Sequence, residues 1–297
     1  MTNDNPIGFI GFGEAGFHIA RGLRGEGAEQ LFAYDINTRT PRLGDRIQER
    51  AKASYVTLLE SNASIAAACD ILFSTVTANA AVAAAEETAP FLQARHLYAD
   101  LNSVSPATKQ SISRIVASSG ARFVEAAVMA AVPPHGHRVP MLLGGAHART
   151  LADILSPYGL RLEVVSDQVG AASAVKMCRS IIVKGLEALL LECALGASHY
   201  GADERVFASL DETLPGMNWS RLAGYMIGRV MEHGERRARE MEEAAEMLRG
   251  AGIEPIMAEA AARRQEWGGR LNLADHLKGP AAEDYREVVK AIAAMSV

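Results

Sequence analysis

The chain has 297 residues, of which 49% are hydrophobic and 22% are charged, and its 30 basic and 35 acidic side chains give a formal net charge of −5. These values are ordinary for a globular protein and exclude a collagen-like, coiled-coil or disordered chain. DNA- and RNA-binding proteins usually carry a clustered basic face, and the slightly acidic net charge of this chain gives no sign of one, so we expect no nucleic-acid partner.

The first half of the chain alternates short apolar runs with helical patterns. Apolar runs typical of strands occupy residues 7–10, 30–34, 71–76, 96–100, 123–128 and 140–143. The intervening patterns predict helices at residues 15–25, 57–68, 80–92 and 106–119. Several of the strands are apolar on both faces, which favours parallel strands covered by helices. The alternation predicts an α/β fold with a doubly wound parallel sheet.

Strand signals stop at about residue 166. Residues 169–200 contain no proline and carry a leucine-rich pattern, which predicts one long helix. Further helices are expected at residues 222–232, 236–250, 255–266 and 281–295. The sequence therefore predicts two domains, an α/β domain at residues 1–166 and an all-α domain at residues 167–297, which the long helix enters.

The cysteines and the chain's apolar runs predict a soluble, cytoplasmic protein. Cys69, Cys178 and Cys193 are scattered, and fifteen helical residues would separate the last two by about 22 Å, beyond disulfide reach. Such a set is typical of a reducing compartment. The first residues resemble no export signal, and no apolar run approaches the length of a membrane span, so no membrane partner is expected.

A phosphate-binding pattern follows the first predicted strand. Residues 11–16 spell G-x-G-x-x-G, and Asp35 ends the next strand 24 residues after Gly11. The glycines permit a tight turn, close approach of the backbone to a pyrophosphate, and close helix–strand packing, while the helix N-terminus attracts the phosphates. We expect a Rossmann-type domain that binds NAD, because Asp35 suits the ribose hydroxyls. Arg39 and Arg42, in the same loop, leave NADP open.

Polar residues also follow two later strands, at residues 74–77 and 100–106, where open α/β sheets bind ligands. Strand-end capping is an alternative reading of both segments. With them, the predicted cofactor-binding residues are Gly11, Phe12, Gly13, Glu14, Ala15, Gly16, Asp35, Thr75, Val76, Thr77 and Asn102.

Three segments together resemble the β-hydroxyacid dehydrogenase family, which includes 6-phosphogluconate and 3-hydroxyisobutyrate dehydrogenases. Residues 11–16 match its glycine loop, residues 100–106 (DLNSVSP) resemble its D-x-S-T-x-S-P segment, and residues 170–176 (GAASAVK) match its G-x-x-x-x-x-K stretch. The resemblance covers nearly the whole chain. It implies an NAD(P)-dependent dehydrogenase that interconverts a small hydroxy acid and its oxo acid, with Lys176 as general base or acid, in a homodimer.

The resemblance also identifies candidate substrate residues and a subgroup. Where the family has D-x-P-V-S-G-G, residues 125–131 read EAAVMAA, so that Met129 replaces a substrate-binding serine, and Ser180 replaces the usual asparagine four residues after the lysine. Residues 176–180 and 233–241 resemble a subgroup whose helical domain has no known function. The predicted substrate-binding residues are Asn102, Ser103, Met129, Arg179 and Ser180.

The chemistry of Lys176 agrees with this role, although a surface lysine is the alternative. Hydride transfer from an alcohol needs a group that accepts the hydroxyl proton, and the apolar neighbours Val175 and Met177 would disfavour a charged lysine. Two other functions stay open. An imine reductase has a similar scaffold but usually carries aspartate or tyrosine in place of the lysine, and a non-catalytic dinucleotide sensor would not need Lys176.

Other polar residues predict no further site. His135 and His137 lack a third ligand nearby, so we expect no metal. Lys184 and Glu187, three residues apart, predict a helix-surface pair, with a ligand-lining role for Lys184 as the alternative. The alternating charges at residues 236–243 predict a solvated or subunit-facing helix face.

Overall fold

The structure is a computed structural model that describes residues 5–273, residue 277 and residues 284–295. Its chain divides into two compact units, Met1–Lys176 and Met177–Val297. The division lies inside a helix, ten residues after the boundary that the change in sequence pattern suggests at residue 166. The assignment of the two functional domains therefore stays a prediction.

The first unit is built on a single sheet. Among the described residues its strands are β1 Ile7–Ile10, β2 Leu31–Tyr34, β3 Thr57–Leu58, β4 Ile71–Ser74, β5 Leu97–Asp100, β6 Arg122–Val128, β7 Met141–Gly144 and β8 Leu162–Ser166. The strand order is β3-β2-β1-β4-β5-β6-β7-β8. All neighbours pair in parallel except β6 and β7, which are antiparallel. The predicted parallel α/β sheet is thus confirmed, with one reversal that the sequence pattern did not reveal.

Helices cover both faces of this sheet and form the second unit. In chain order the described helices are α1 Glu14–Gly25, α2 Leu43–Ser54, α3 Asn62–Ala68, α4 Ala81–Thr88, α5 Pro106–Ala117, α6 Val132–His135, α7 Ala148–Leu155, α8 Ala171–His199, α9 Asp203–Thr213, α10 Trp219–Gly250, α11 Ile256–Arg270 and α12 Tyr285–Met295. The all-helical C-terminal region and its long entering helix are confirmed. No helix in the described part of the chain has the length and apolar character needed to cross a bilayer.

The helix predicted at residues 57–68 is wrong in its first part. Thr57 and Leu58 form the edge strand β3, which pairs in parallel with β2, and α3 begins only after Ser61. Ser61 and Ser64 form a reciprocal capping box that fixes this start. The Ser61 side chain accepts a hydrogen bond from the Ser64 N–H, one of the N–H groups that have no partner within the first turn. This favours a helix that starts after Ser61 over one that starts earlier in the chain.

The sequence pattern missed α2, α7 and β8. Helix α2 begins after Arg42 and ends before Tyr55, and both of these flanking residues have positive φ angles. Its sequence is strongly polar, and of the four residues that it buries only Ile47 has a large apolar side chain. Strand β8 is half-exposed throughout and pairs only with β7 in the described sheet, so it lacks the continuous apolar run of a central strand.

The second unit differs from the prediction in how its helices are divided. Residues 222–232 and 236–250 belong to one helix, α10, and α9 was missed. A side chain at Gly234 would overlap the backbone of Gln265 and Gly269, so glycine permits the close crossing of α10 and α11. The last predicted helix is confirmed as α12 at residues 285–295, whereas residues 281–283 lie outside the described residues.

Candidate functional site

The loop between β1 and α1 has the geometry of a tight phosphate-binding turn. Gly11 has a φ of +82°, and a Cβ on it would come within 2.6 Å of Val76 Cγ1. A Cβ on Gly16 would come within 2.9 Å of Thr75 Oγ1, which in turn donates to the Gly11 carbonyl at 2.6 Å. Two of the three glycines are therefore required by close packing against the end of β4.

The third glycine faces open space. A Cβ on Gly13 would meet no atom within 4 Å, and Gly13 is the N-cap of α1 without a side-chain capping bond. The first N–H groups of α1, which begins at Glu14 and continues through Ala15, thus have no side-chain acceptor at the cap. Free donors and the positive end of the helix dipole suit a pyrophosphate.

Asp35 links the end of β2 to this loop. Its Oδ2 accepts the Phe12 N–H at 2.7 Å, and its Oδ1 accepts the Asn37 N–H at 2.8 Å. Each carboxylate oxygen keeps a second lone pair for a ribose hydroxyl. The Phe12 side chain itself is fully buried against Phe9 in the core, so only its backbone lies at the loop.

The two arginines of the following loop are solvent-exposed. Arg39 lies 3.7 Å from Glu60, and both side chains are more than four-fifths exposed. Arg42 is exposed at the start of α2. The residues of the glycine loop and Asp35 therefore fit a dinucleotide, while a 2′-phosphate-binding role for either arginine stays a prediction.

A buried polar network lies at the ends of β4 and β5. Lys109 Nζ lies 3.0 Å from Asp100 Oδ2 and donates to the Asp100 carbonyl at 2.7 Å. Asp100 Oδ1 accepts both the Asn102 backbone N–H and an Asn102 Nδ2 hydrogen. The other Nδ2 hydrogen is donated to Ser74 Oγ at 2.9 Å.

This network determines how Asn102 is oriented. Its amide nitrogen must face Asp100, because an ionised carboxylate only accepts hydrogen bonds. Both amide hydrogens are thus engaged inside the protein. Asn102 Oδ1 is buried and has no hydrogen-bond partner among the described residues. The family segment has a serine where this chain has Asn102. Asn102 has no free amide hydrogen to donate to a ligand unless one of its bonds to Asp100 or Ser74 breaks.

Lys176 and Ser103 meet within the first unit. Lys176, on the second turn of α8, donates from Nζ to Ser103 Oγ at 2.6 Å. Lys176 is half-buried, and Ser103 is exposed in the loop between β5 and α5. The structure thus brings together one residue from each of two of the three family segments, and these two residues are 73 positions apart in the chain.

The remaining predicted residues of this unit line strand ends. Val76 packs at Gly11, and Thr77 Oγ1 donates to Asn79 Oδ1 at 2.6 Å. Met129 follows β6, is half-buried, and donates its N–H to the Pro140 carbonyl at 2.9 Å. Its side chain offers no strong hydrogen-bond donor.

Glu125 is a buried acid that sequence reasoning did not single out. Its side chain, fully buried on β6, accepts hydrogen bonds from the Gly170 N–H at 2.8 Å, the Ala172 N–H at 2.9 Å and Ser173 Oγ at 2.9 Å. The N-terminus of α8 is therefore capped by a residue 45 to 48 positions earlier in the chain. A glutamate inside an otherwise apolar strand was the available sequence signal.

The predicted residues Arg179 and Ser180 belong to the second unit. Arg179 is exposed, whereas Ser180 is buried and its Oγ accepts a hydrogen bond from Lys184 Nζ at 2.9 Å. Lys184 also forms an ion pair with Glu240 at 2.7 Å. Burial lowers the pKa of Lys184, and Glu240 opposes this shift.

The predicted surface pair of Lys184 and Glu187 is wrong. Both residues are buried. The Glu187 carboxylate accepts hydrogen bonds from Arg237 Nε at 2.8 Å and from Gln265 Nε2 at 2.9 Å. Arg237 is likewise buried, so the helix face at residues 236–243 is not wholly solvated. These partners lie on α10 and α11, and the alternating charge pattern does not reveal which of its positions face another helix.

His135 and His137 differ in their exposure to solvent. His135 is exposed, whereas His137 is buried against α1. In the described part of the chain no group of three His, Cys, Asp or Glu side chains is placed to hold a metal ion.

Two known protein families match parts of this chain. Residues 6–165 match the NAD binding domain of 6-phosphogluconate dehydrogenase, and residues 197–268 match a domain of unknown function, DUF1932. The chain belongs to the 6-phosphogluconate dehydrogenase-like family. The family resemblance and the nicotinamide dinucleotide as cofactor class are thereby confirmed, whereas the choice between NAD and NADP is not resolved.

Three relatives illustrate the range of this family. A conserved hypothetical protein from Sinorhizobium meliloti 1021 has a solved structure with 39% identity and a TM-score of 0.83, covering 97% of this chain and 95% of that one. The mitochondrial 3-hydroxyisobutyrate dehydrogenase of Drosophila melanogaster is 24% identical over 72% of this chain and 65% of its own length. The Mycobacterium tuberculosis 3-hydroxyisobutyrate dehydrogenase structure shares the fold, with a TM-score of 0.75 at 16% identity over 97% and 99% of the two chains.

Proposed function

We propose that this 6-phosphogluconate dehydrogenase-like protein is an NAD(P)-dependent oxidoreductase that interconverts a hydroxy acid, of the β-hydroxy class, and its oxo acid. The observation that carries the proposal is the hydrogen bond from Lys176 Nζ to Ser103 Oγ at 2.6 Å, beside the strand ends that border the dinucleotide loop. The Drosophila relative, a 3-hydroxyisobutyrate dehydrogenase, supports the substrate class.

The residues that would hold the cofactor are those of the glycine loop, together with Asp35. The free N–H groups at the start of α1 suit the pyrophosphate, and the lone pairs of Asp35 suit the ribose hydroxyls, which favours NAD over NADP. A bound nicotinamide supplies the hydride acceptor for alcohol oxidation and the hydride donor for the reverse reaction.

Lys176 has the proton-transfer role in this proposal. In the oxidative direction its neutral amine accepts the proton of the substrate hydroxyl, and in the reductive direction its ammonium returns a proton to the carbonyl oxygen. Ser103 Oγ accepts one hydrogen bond from Nζ and so orients the amine. The single hydroxyl hydrogen of Ser103 is available to a ligand oxygen, because the bond from Lys176 uses only a lone pair of Oγ.

The substrate is anchored differently from that of the typical family member. Met129 offers no strong donor, and both amide hydrogens of Asn102 are engaged by Asp100 and Ser74. Ser103, Arg179 and Ser180 are the candidate donors that remain from the predicted substrate-binding set. We further propose that the working form is a homodimer, which light scattering of the purified protein tests.

The experiment is to follow nicotinamide absorbance with a panel of hydroxy acids and oxo acids, using NAD and NADP. Wild type, Lys176→Ala and the exposed control Lys52→Ala are compared. We expect kcat to fall by about 10²- to 10⁴-fold in Lys176→Ala alone, with cofactor binding intact.

The other outcomes separate the alternatives. Turnover that is indifferent to Lys176 would remove the proposed proton-transfer group, and a cyclic imine added to the panel would then test imine reduction. Tight cofactor binding by wild type with no turnover of any substrate would favour a dinucleotide sensor.

A further inference from the structure

Glu125 lies where the strand that neighbours Ser103 meets the helix that carries Lys176. In the sheet register Glu125 pairs with Asp100, the last residue of β5, two residues before Asn102 and three before Ser103. On its other side Glu125 pairs with Gly144 of β7. A side chain on Gly144 would overlap Glu125 Oε1, so the glycine leaves the space through which the carboxylate reaches α8.

The Glu125 carboxylate is held by helix donors and not by a cation. A fully buried carboxylate is costly unless its oxygens are hydrogen-bonded. Two backbone N–H groups at the entry of α8 and the hydroxyl of Ser173 supply these bonds, and no ion pair to Glu125 occurs among the described residues. The positive end of the helix dipole adds to this stabilisation.

The same contacts fix where α8 begins. Gly170 has a φ of +108°, and a Cβ on it would lie 3.2 Å from Pro106 Cβ at the start of α5. Gln110, on the next turn of α5, donates from Nε2 to the Val169 carbonyl at 3.3 Å. The chain therefore enters α8 between Glu125 and α5, in one defined position.

Lys176 lies on α8 a short distance after the residues that Glu125 holds, and the helix keeps this distance fixed. Lys176 is four positions after Ala172 in the helix, which is about one turn and about 6 Å along the axis. Ser103 lies in the loop that leads into α5, and Gly170, at the entry of α8, lies close to Pro106, the first residue of α5. A displacement of the α8 N-terminus relative to the sheet thus changes the separation of Lys176 Nζ and Ser103 Oγ directly.

We propose that Glu125 is a positioning residue, whose side-chain length sets Lys176 against Ser103 for proton transfer. The proposal rests on the proposed role of Lys176. The residue acts through the geometry of the helix entry, not through contact with substrate or cofactor. Asp carries the same charge but is shorter by one methylene, about 1.5 Å, whereas Gln keeps the length and an acceptor oxygen for the two N–H groups.

The test compares Glu125→Asp, Glu125→Gln and Ser173→Ala, with Glu163→Asp and Glu163→Gln on the exposed face of β8 as matched controls. We expect Glu125→Asp to lower kcat by about 100-fold, because a displacement of about 1 Å in an active site has an effect of this size. Glu125→Gln should retain more activity than Glu125→Asp. Ser173→Ala should also lose less activity than Glu125→Asp. The dissociation constant for NADH, measured by fluorescence, should change less than about two-fold, since the glycine loop is not involved.

A second measurement does not depend on turnover. The rate of Lys176 acylation by acetic anhydride, followed by mass spectrometry over a range of pH, should change in Glu125→Asp, while that of the exposed Lys52 in the same sample should not. Wild type without turnover would contradict the proposed function, and the acylation rates would still decide the positioning role.

Two results would overturn the positioning role. The first is a Glu125→Asp protein whose kcat and Lys176 acylation match wild type. The second is a Glu125→Gln protein that loses more activity than Glu125→Asp, since charge and not length would then matter. Thermal unfolding of each variant separates either result from a loss of folded protein.

Discussion

The imidazole ring of His137 packs against the α-carbon of Gly22. A methyl group on residue 22 would overlap the Cβ, Cγ and Nδ1 atoms of His137, so the middle of α1 accepts no side chain at this point. The contact joins α1 to the turn that follows α6, on the sheet face opposite the helices α4 and α5. The two residues are 115 positions apart in the chain, and their packing helps to hold α1 in place.

Gly22→Ala should destabilise the protein by about 1–3 kcal/mol, because an added methyl group forces the His137 ring or the backbone to move. Gly25→Ala is the matched control in the same helix, where a Cβ meets no atom within 4 Å. Alanine at that position should be neutral or stabilising by up to about 1 kcal/mol. Urea unfolding followed by circular dichroism measures both, and equal stabilities of the two variants would refute the contact.

His137 should also make stability depend on pH. Burial lowers its pKa below the usual 6.5, although Glu26, 3.5 Å from Nε2, acts in the opposite direction. The unfolded chain therefore binds this proton at higher pH than the folded protein, so its contribution to stability is lost as the pH falls below about 6.5. His233 has a lowered pKa as well and contributes with the same sign.

The test removes one titrating group at a time. His137→Gln should lose less stability between about pH 7.5 and 5.5 than wild type does, whereas the exposed His135→Gln should behave like wild type. Thermal unfolding midpoints at several pH values decide the matter. A pH dependence of His137→Gln equal to that of wild type would show that the ring does not contribute.

Lys109→Met should cost about 3–5 kcal/mol, because it leaves the buried Asp100 carboxylate without its cation. The exposed Lys52→Met should stay within about 0.5 kcal/mol of wild type. The double variant Lys109→Met with Asp100→Asn should recover part of the loss, because no unpaired charge then remains and the amide oxygen can still accept the hydrogen bonds from Asn102. Urea unfolding of the set checks this, and a double variant less stable than Lys109→Met would contradict the ion-pair explanation.

Asp35→Asn should weaken NADH binding by about ten-fold, because the charge-assisted hydrogen bond that we propose between Asp35 and the ribose would become a neutral one. NADPH binding should weaken less, since the carboxylate also repels a 2′-phosphate. Asp45→Asn, exposed in the first turn of α2, is the control. Fluorescence titrations with both reduced cofactors give the ratio, and an unchanged preference would exclude Asp35 as the selecting residue.

The central strands and the dinucleotide loop were predictable from local pattern. A fully buried parallel strand must be apolar on both faces, and a phosphate turn requires glycine where the backbone has positive φ or close neighbours, as at Gly11 and Gly16. The edge strands β3 and β8 were not predictable in this way. They are short or half-exposed, and they become strands only because β2 and β7 offer free edges.

The sequence by itself determined the fold class, the family and the cofactor class, because these depend on periodicity and on motifs that are each shorter than about thirty residues. Only the tertiary structure decided that Asn102 has no amide hydrogen free for a ligand, that Lys184 and Glu187 are buried, and that Glu125 caps the helix that carries Lys176. Each of these depends on a partner brought close by the fold, and a local pattern contains no information about which distant residue that partner will be.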